Sequence, residues 1–92
     1  MVTGVLANTP ASEHRLGPST SLGRTEDNQI QIARPGVSRH HAVIEFTPGG
    51  FSLKDLGSQN GTFLNGDRVT THALTDGDRI LIGDAQLVFR LL

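Results

Sequence analysis

The sequence predicts an all-β chain: a two-sheet antiparallel β-sandwich of short strands. Apolar residues recur at every second position along most of its length, and Gly-, Pro- and Asn-containing turn signals interrupt that alternation every few residues. No window holds a 3.6-residue period long enough to compete with it. At 92 residues the chain fits one domain, residues 1–92, with a modest core and no second unit.

Taken in order, Thr3 to Ala7 is short and mostly apolar and suits an opening strand; Asn8 to Ser12 reads as a turn, and Glu13 to Leu16 as the antiparallel return. Gly17-Pro18 turns the chain again, after which Thr20 and Leu22 alternate with Ser21 and Gly23. Beyond a polar stretch from Thr25 to Asn28, Ile30 and Ile32 resume the two-residue period until Pro35-Gly36 breaks it and forbids a long helix. In the next strand Ala42, Ile44 and Phe46 share one face, opposite Val43 and Glu45. Pro48-Gly49-Gly50 is a turn, and Phe51 and Leu53 face inward after it. Thr62 to Leu64 and Asp67 to Val69 flank Asn65-Gly66, a pair suited to the two positive φ angles of a type I′ hairpin turn. Thr70 to Leu74 is a short edge or connector, Asp76-Gly77 a turn, and Arg79 to Ile82 and Ala85 to Leu91 are the last strands, joined by Gly83-Asp84. The expected inner set is Leu22, Ile30, Ile32, Ala42, Ile44, Phe46, Phe51, Leu53, Phe63, Ile80, Ile82, Leu87 and Phe89, shared between two sheets.

Composition narrows the function classes. With no cysteine, neither a disulfide framework nor a thiolate metal site can form. A formal net charge of −1 argues against nucleic acid or an anionic membrane as partner. No apolar run approaches membrane-spanning length and no secretory leader pattern appears, so a soluble, cytoplasmic chain is expected. Arginine outnumbers lysine seven to one, and guanidinium is the group suited to bidentate recognition of phosphate or carboxylate.

Three polar groupings fall in turns or at strand ends: Gly23-Arg24, Ser38-Arg39-His40-His41 and Ser58-Gln59-Asn60-Gly61. The last lies in DLGSQNGTFLNG, Asp55 to Gly66, where Ser-Gln-Asn supplies more donors and acceptors than a turn requires. Singly, each reads as ordinary solvated turn chemistry. Together, because alternate turns of a meander lie at the same end of a sandwich, they would gather two guanidiniums, a hydroxyl and amides with no carboxylate among them, a set complementary to a tetrahedral dianion. His40 and His41 are adjacent and point to opposite faces of extended chain, so they do not chelate one ion, and no metal is expected. Ser38, His41 and Asp55 could nominally serve as nucleophile, base and carboxylate, but no nucleophile elbow surrounds Ser38 and no oxyanion loop is evident, so no catalytic residue and no enzyme are expected.

At these residues the chain resembles the forkhead-associated (FHA) domain. The resemblance is carried by Gly23-Arg24, Ser38-Arg39-x-His41, Asp55-Leu56-Gly57-Ser58-x-Asn60-Gly61-Thr62 with Asn65-Gly66, and Gly77-Asp78-x-Ile80-x-Ile82-Gly83, in order from about Leu22 to Phe89. Up to about Ser19 only the strand pattern matches. The resemblance implies an eleven-stranded sandwich whose loops at one end bind phosphothreonine peptides without catalysis or cofactor. It implies that Arg24 and Ser38 take the phosphate oxygens, with Arg39 beside them on phosphate or peptide. Asn60 would hold the peptide backbone through its amide, with Ser58 and Gln59 also among the peptide contacts. Gly23 and Gly61 would let the backbone bend close, and His41 would pin the loops together. Many members carry Thr or Ser where this chain has Gln59, so the amide would reach the peptide in place of a hydroxyl. The implied partner is a phosphothreonine-containing protein or peptide, either a Ser/Thr protein kinase or its substrate, and FHA domains usually travel with other domains. The alternative reading is phosphate-independent docking of a folded surface by the same loops or by a sheet face that includes Val43, Leu81 and Val88.

Overall fold

A computed structural model describes residues 3–8 and 12–92. Eleven strands form among them: β1 (Gly4–Asn8), β2 (Ser12–Arg15), β3 (Ser19–Gly23), β4 (Ile30–Gln31), β5 (Ala42–Thr47), β6 (Gly50–Asp55), β7 (Thr62–Leu64), β8 (Asp67–Val69), β9 (Thr71–Ala73), β10 (Arg79–Ile82) and β11 (Ala85–Leu91). They make two sheets, one of six strands in the order β2-β1-β11-β10-β7-β8 and one of five in the order β4-β3-β5-β6-β9. The middle of the turn expected between β1 and β2, residues 9–11, lies outside the described residues.

Alternation places the core between the sheets. Leu6, Phe89, Leu87, Ile80, Ile82 and Leu64 enter from the six-stranded sheet, and Leu22, Ile30, Ala42, Ile44, Phe51 and Leu53 from the five-stranded one. Each of these is less than a tenth exposed, and burial on this scale contributes about 1.5–3 kcal/mol per large side chain. All pairings are antiparallel except one: β4 runs parallel to β3, with Leu22 opposite Ile30. Two residues of pairing suffice there because Gln29 Oε1 accepts from the Ser21 amide at 2.8 Å and brings the loop back alongside. The Asn65-Gly66 turn takes the two positive φ angles expected of it, 50° and 93°.

Two members of the expected inner set are not buried in the core. Phe46 stays on the inner side of β5 and stacks on Phe51 with ring centroids 4.6 Å apart, yet it is 52% exposed. Across from it, Gly4 offers only backbone to the Phe51 ring, and Phe46 borders a depression lined also by Leu16 and Leu91 instead of packed chain. Phe63 points outward, because Thr62 and Leu64 occupy the inner positions of the three-residue β7. A buried threonine is admissible there because its hydroxyl donates to Asp55 Oδ1 at 2.7 Å. Val5, Leu6, Val37, Leu64, Leu74 and Ala85 are buried in addition to the expected set. Val43, Leu81 and Val88 are half-buried on outer faces, Val43 on the five-stranded sheet and the other two on the six-stranded one.

Candidate functional site

Three connections meet at one end of the sandwich: the loop after β3, the segment 32–41 before β5, and the loop 56–61 between β6 and β7. They are joined by specific bonds, not by proximity alone. The Arg24 amide donates to Ser38 O at 3.0 Å, and Arg24 Nε donates to Val37 O at 3.0 Å. The Gln59 amide donates to Ser38 Oγ at 3.1 Å, and Asn60 Nδ2 donates to Gly36 O at 3.0 Å.

Behind these contacts lies His41, fully buried. Its Nδ1 accepts from the Ser38 amide at 3.0 Å. The ring proton therefore sits on Nε2, which donates to Gly61 O at 2.9 Å. Its own backbone continues the link, with the amide on Leu22 O and the carbonyl accepting from Leu56. One imidazole thus ties the Ser38 segment to the Asn60 loop.

Asp55 plays the matching role for the loop itself. Its carboxylate accepts from the Gly57 and Ser58 amides, both at 3.0 Å, and from the Ser58 and Thr62 hydroxyls. Burial pushes this carboxyl up, but the hydrogen bonds from the Ser58 and Thr62 side chains and from the two amides outweigh it and hold the group below the usual carboxylate range. Ser58 Oγ also accepts from the Gly61 amide at 3.0 Å, closing the turn.

The third connection depends on Gly23. A Cβ there would lie 2.1 Å from Arg39 O and 2.6 Å from Asn28 Nδ2, so only glycine lets the two segments approach this closely. Asn28, buried, exploits the approach: its Nδ2 donates to Arg39 O at 2.8 Å and to Thr25 O at 2.9 Å. Sequence reading passed over Asn28 as one residue of a polar stretch; its signal is the short Thr25–Asn28 loop, where an asparagine side chain bonding back to backbone is expected. Asp27, held below its ordinary range chiefly by the Thr25 hydroxyl, meets His40 Nε2 at 2.9 Å.

The result is an open depression of about 450 Å³ lined by Arg24, Gly36, Val37, Ser38, Arg39, Gln59 and Asn60. The structure therefore brings together five of the residues singled out in the sequence: Arg24, Ser38, Arg39, Gln59 and Asn60. Arg24 and Arg39 are exposed, and among the described residues neither pairs with a carboxylate. Arg24 is oriented through Nε, and its two terminal nitrogens make no hydrogen bond among the described residues. Ser58 does not join them. It is 8% exposed and turned inward, with its hydroxyl occupied by Asp55 and the Gly61 amide.

No relay connects Ser38, His41 and Asp55. The imidazole meets the Ser38 amide instead of its hydroxyl, and the carboxylate is occupied by Ser58 and Thr62. What the arrangement does offer is guanidinium, hydroxyl and amide groups around one depression with no carboxylate in its lining.

A family model for the FHA domain matches residues 20–83. The chain belongs to the FHA family. This FHA domain is 50% identical over 68 residues to an ABC transporter ATP-binding/permease protein of Mycobacterium tuberculosis, covering 74% of the chain and 8% of that protein. It is 42% identical over 72 residues to the glycogen accumulation regulator GarA of Mycolicibacterium smegmatis, covering 78% of the chain and 46% of the relative. The FHA domain thus spans about half, or less, of the length of these curated relatives. Among solved structures, a TM-score of 0.92 at 34% identity relates it to Mycobacterium tuberculosis EmbR in complex with a low-affinity phosphopeptide, over 96% of this chain and 24% of that one. A TM-score of 0.90 at 33% identity, over 96% and 95% of the two chains, relates it to a structure from an analysis of phosphothreonine-dependent FHA domain interactions.

Proposed function

We propose that this FHA domain, residues 1–92 acting as one module, binds phosphothreonine on a partner protein in Ser/Thr kinase signalling and does no chemistry on it. The partner is a Ser/Thr kinase or a protein that such a kinase has modified, which places the module in the cytoplasm. The supporting observation is the convergence of Arg24, Ser38, Arg39 and Asn60 on one carboxylate-free depression. Phosphate brings about −1.5 to −2 charges and three strong acceptor oxygens. In this reading the terminal nitrogens of Arg24 and the Ser38 hydroxyl take phosphate oxygens, and Arg39 adds charge at the rim. Asn60, fixed by Gly36 O, turns its carbonyl toward the peptide backbone, and Gln59 offers its amide to a flanking residue.

Charge-assisted hydrogen bonds contribute about 1.5–3 kcal/mol each, so losing two at Arg24 weakens binding about a hundredfold or more. The test is calorimetric titration of matched peptides carrying Thr, phosphoserine or phosphothreonine against the parent and Arg24→Ala. Tight binding of the phosphothreonine peptide alone, lost in Arg24→Ala with the fold intact, is the expected result. Equal affinity of parent and variant removes Arg24 from the site, and indifference to the phosphate removes the function.

A further inference from the structure

The two outer faces of the sandwich differ in chemistry. On the five-stranded sheet the outward positions of β3, β5, β6 and β9 are Ser19, Ser21, Val43, Glu45, Ser52, Lys54, Thr71 and Ala73, a largely polar surface with balanced charge whose apolar members are Val43 and the exposed Ala73. The six-stranded sheet is different. Its register places Phe63, Leu81 and Val88 on the outer side across three adjacent strands, each half-buried without belonging to the core, with Ala7 opposite Val88.

Four of the seven arginines share that face. Arg68 is opposite Phe63, Arg79 opposite Val88, and Arg15 and Arg90 flank Val5 from either side. Val5 points away from the core and is only 3% exposed. One of the four, Arg90, meets a carboxylate, Asp76, at 3.4 Å. For the other three no carboxylate lies within ion-pair distance among the described residues, and the one acidic group at an outward strand position of this face is Glu13, opposite Ala7. Beside Arg79 lies a depression of about 390 Å³ bordered also by Phe63, Asn65, Leu81, Gln86 and Val88.

We propose that this face is a second, phosphate-independent docking surface for an acidic amphipathic segment of a partner protein. One or two large apolar side chains of the segment would fill the Phe63–Leu81–Val88 depression, with carboxylates set against Arg79 and its neighbours. Charge selects the occupant: a strip of apolar side chains rimmed by unpaired guanidiniums complements apolar groups rimmed by Asp and Glu. The same composition disfavours nucleic acid, which calls for a basic track and not for a half-buried apolar strip, on a chain whose net charge is −1. The face also abuts the phosphate-binding loops. The Arg68 side chain packs over Gly61, its Nε 2.7 Å from where a Cβ would stand. A partner held at both places gains from the high effective concentration of the second contact.

The test uses the isolated 92-residue chain, ¹⁵N-labelled, and three probes. These are an array of unphosphorylated peptides with a central Leu or Phe bracketed by Asp and Glu, the same array bracketed by Lys, and a 12-nucleotide uridine RNA. The expected result is that acidic peptides shift the amide resonances of Phe63, Leu81 and Val88, and that Arg79→Glu weakens them at least tenfold. Leu81→Ser should weaken them as well, while both variants keep the parent's response to a phosphothreonine peptide. That last response reports on the loop site separately, so its failure is distinct from failure of the face. The proposal is overturned if no acidic peptide shifts these amides, if the lysine-bracketed array or the RNA shifts them equally, or if the acidic peptides shift Arg24, Ser38 and Arg39 instead.

Discussion

Replacing His41 by alanine tests how the binding end is held together. The imidazole is fully buried and has two partners, the Ser38 amide at 3.0 Å and Gly61 O at 2.9 Å. Alanine leaves the buried Gly61 carbonyl and the part-buried Ser38 amide unpaired, at about 1–3 kcal/mol each, and the void left by the ring adds to that. The expected loss is about 3–6 kcal/mol. A chain of this length has about 5–14 kcal/mol in total, so the variant is folded only marginally. In urea, with a slope of about 1–1.5 kcal/mol per molar, the midpoint falls by about 2 M or more. His41→Gln, whose amide nitrogen can still donate to Gly61 O but which offers no acceptor where Nδ1 stood, should lose about half as much. Phosphothreonine-peptide affinity, measured where each variant is fully folded, should fall with the lost connection between the Ser38 segment and the Asn60 loop. A loss under about 1 kcal/mol together with parental affinity would refute the reasoning, because the two bonds would then be dispensable to both fold and site.

Gly23→Ala forces a Cβ to within 2.1 Å of Arg39 O and displaces the Asn28 amide; overpacking of about 1–3 kcal/mol and a weaker phosphopeptide complex are expected, read by thermal melting and calorimetry. The Asp55 carboxyl is depressed in the fold, so its contribution is fully present above the unfolded value near 4 and is lost as pH falls through the lower folded value. Asp78, held down against burial by Thr75 and Asn65, acts in the same direction. Urea midpoints at about pH 6 and pH 3 should therefore differ less in Asp55→Asn than in the parent. Peptide affinity should also fall below about pH 6, where the phosphate of the free peptide becomes singly charged, with no matching fall for a control carrying a non-titrating dianion.

Much of this was legible in the sequence because the determinants are local. Period-two alternation marks β5, β6, β10 and β11, and Asn65-Gly66 declares its own turn. Local rules fail where neighbours decide. In β7, three residues are too few for alternation to choose a face, and the aromatic ring suggested Phe63; the choice falls to Thr62, because a carboxylate from another strand waits for its hydroxyl. Phe46 continues the pattern of Ala42 and Ile44 perfectly well, yet it borders an open depression at the end of the sandwich, which alternation along one strand cannot reveal. At the site, Arg24, Ser38, Arg39, Gln59 and Asn60 were visible as excess polar chemistry in loops. Ser58 looked the same in one dimension, yet its hydroxyl closes the loop that Asn60 projects from. Asn28 carried no distinguishing mark, since its role appears only once Arg39 is brought against Gly23.

The bonds that assemble the rim span long stretches of chain: Arg24 to Val37 across 13 residues, Ser38 to Gln59 across 21, and Asn60 to Gly36 across 24. They fall within residues 24–60, from the end of β3 to the loop before β7, and no single hairpin contains them all. Recognition therefore needs β3, β5 and β6 paired so that three separate connections meet, and a peptide that grips only the assembled rim acts as a thermodynamic latch on the folded polypeptide. At a hundred times its dissociation constant such a ligand adds about 2.7 kcal/mol to global stability, so hydrogen exchange in strands remote from the loops should slow on saturation as much as exchange beside them.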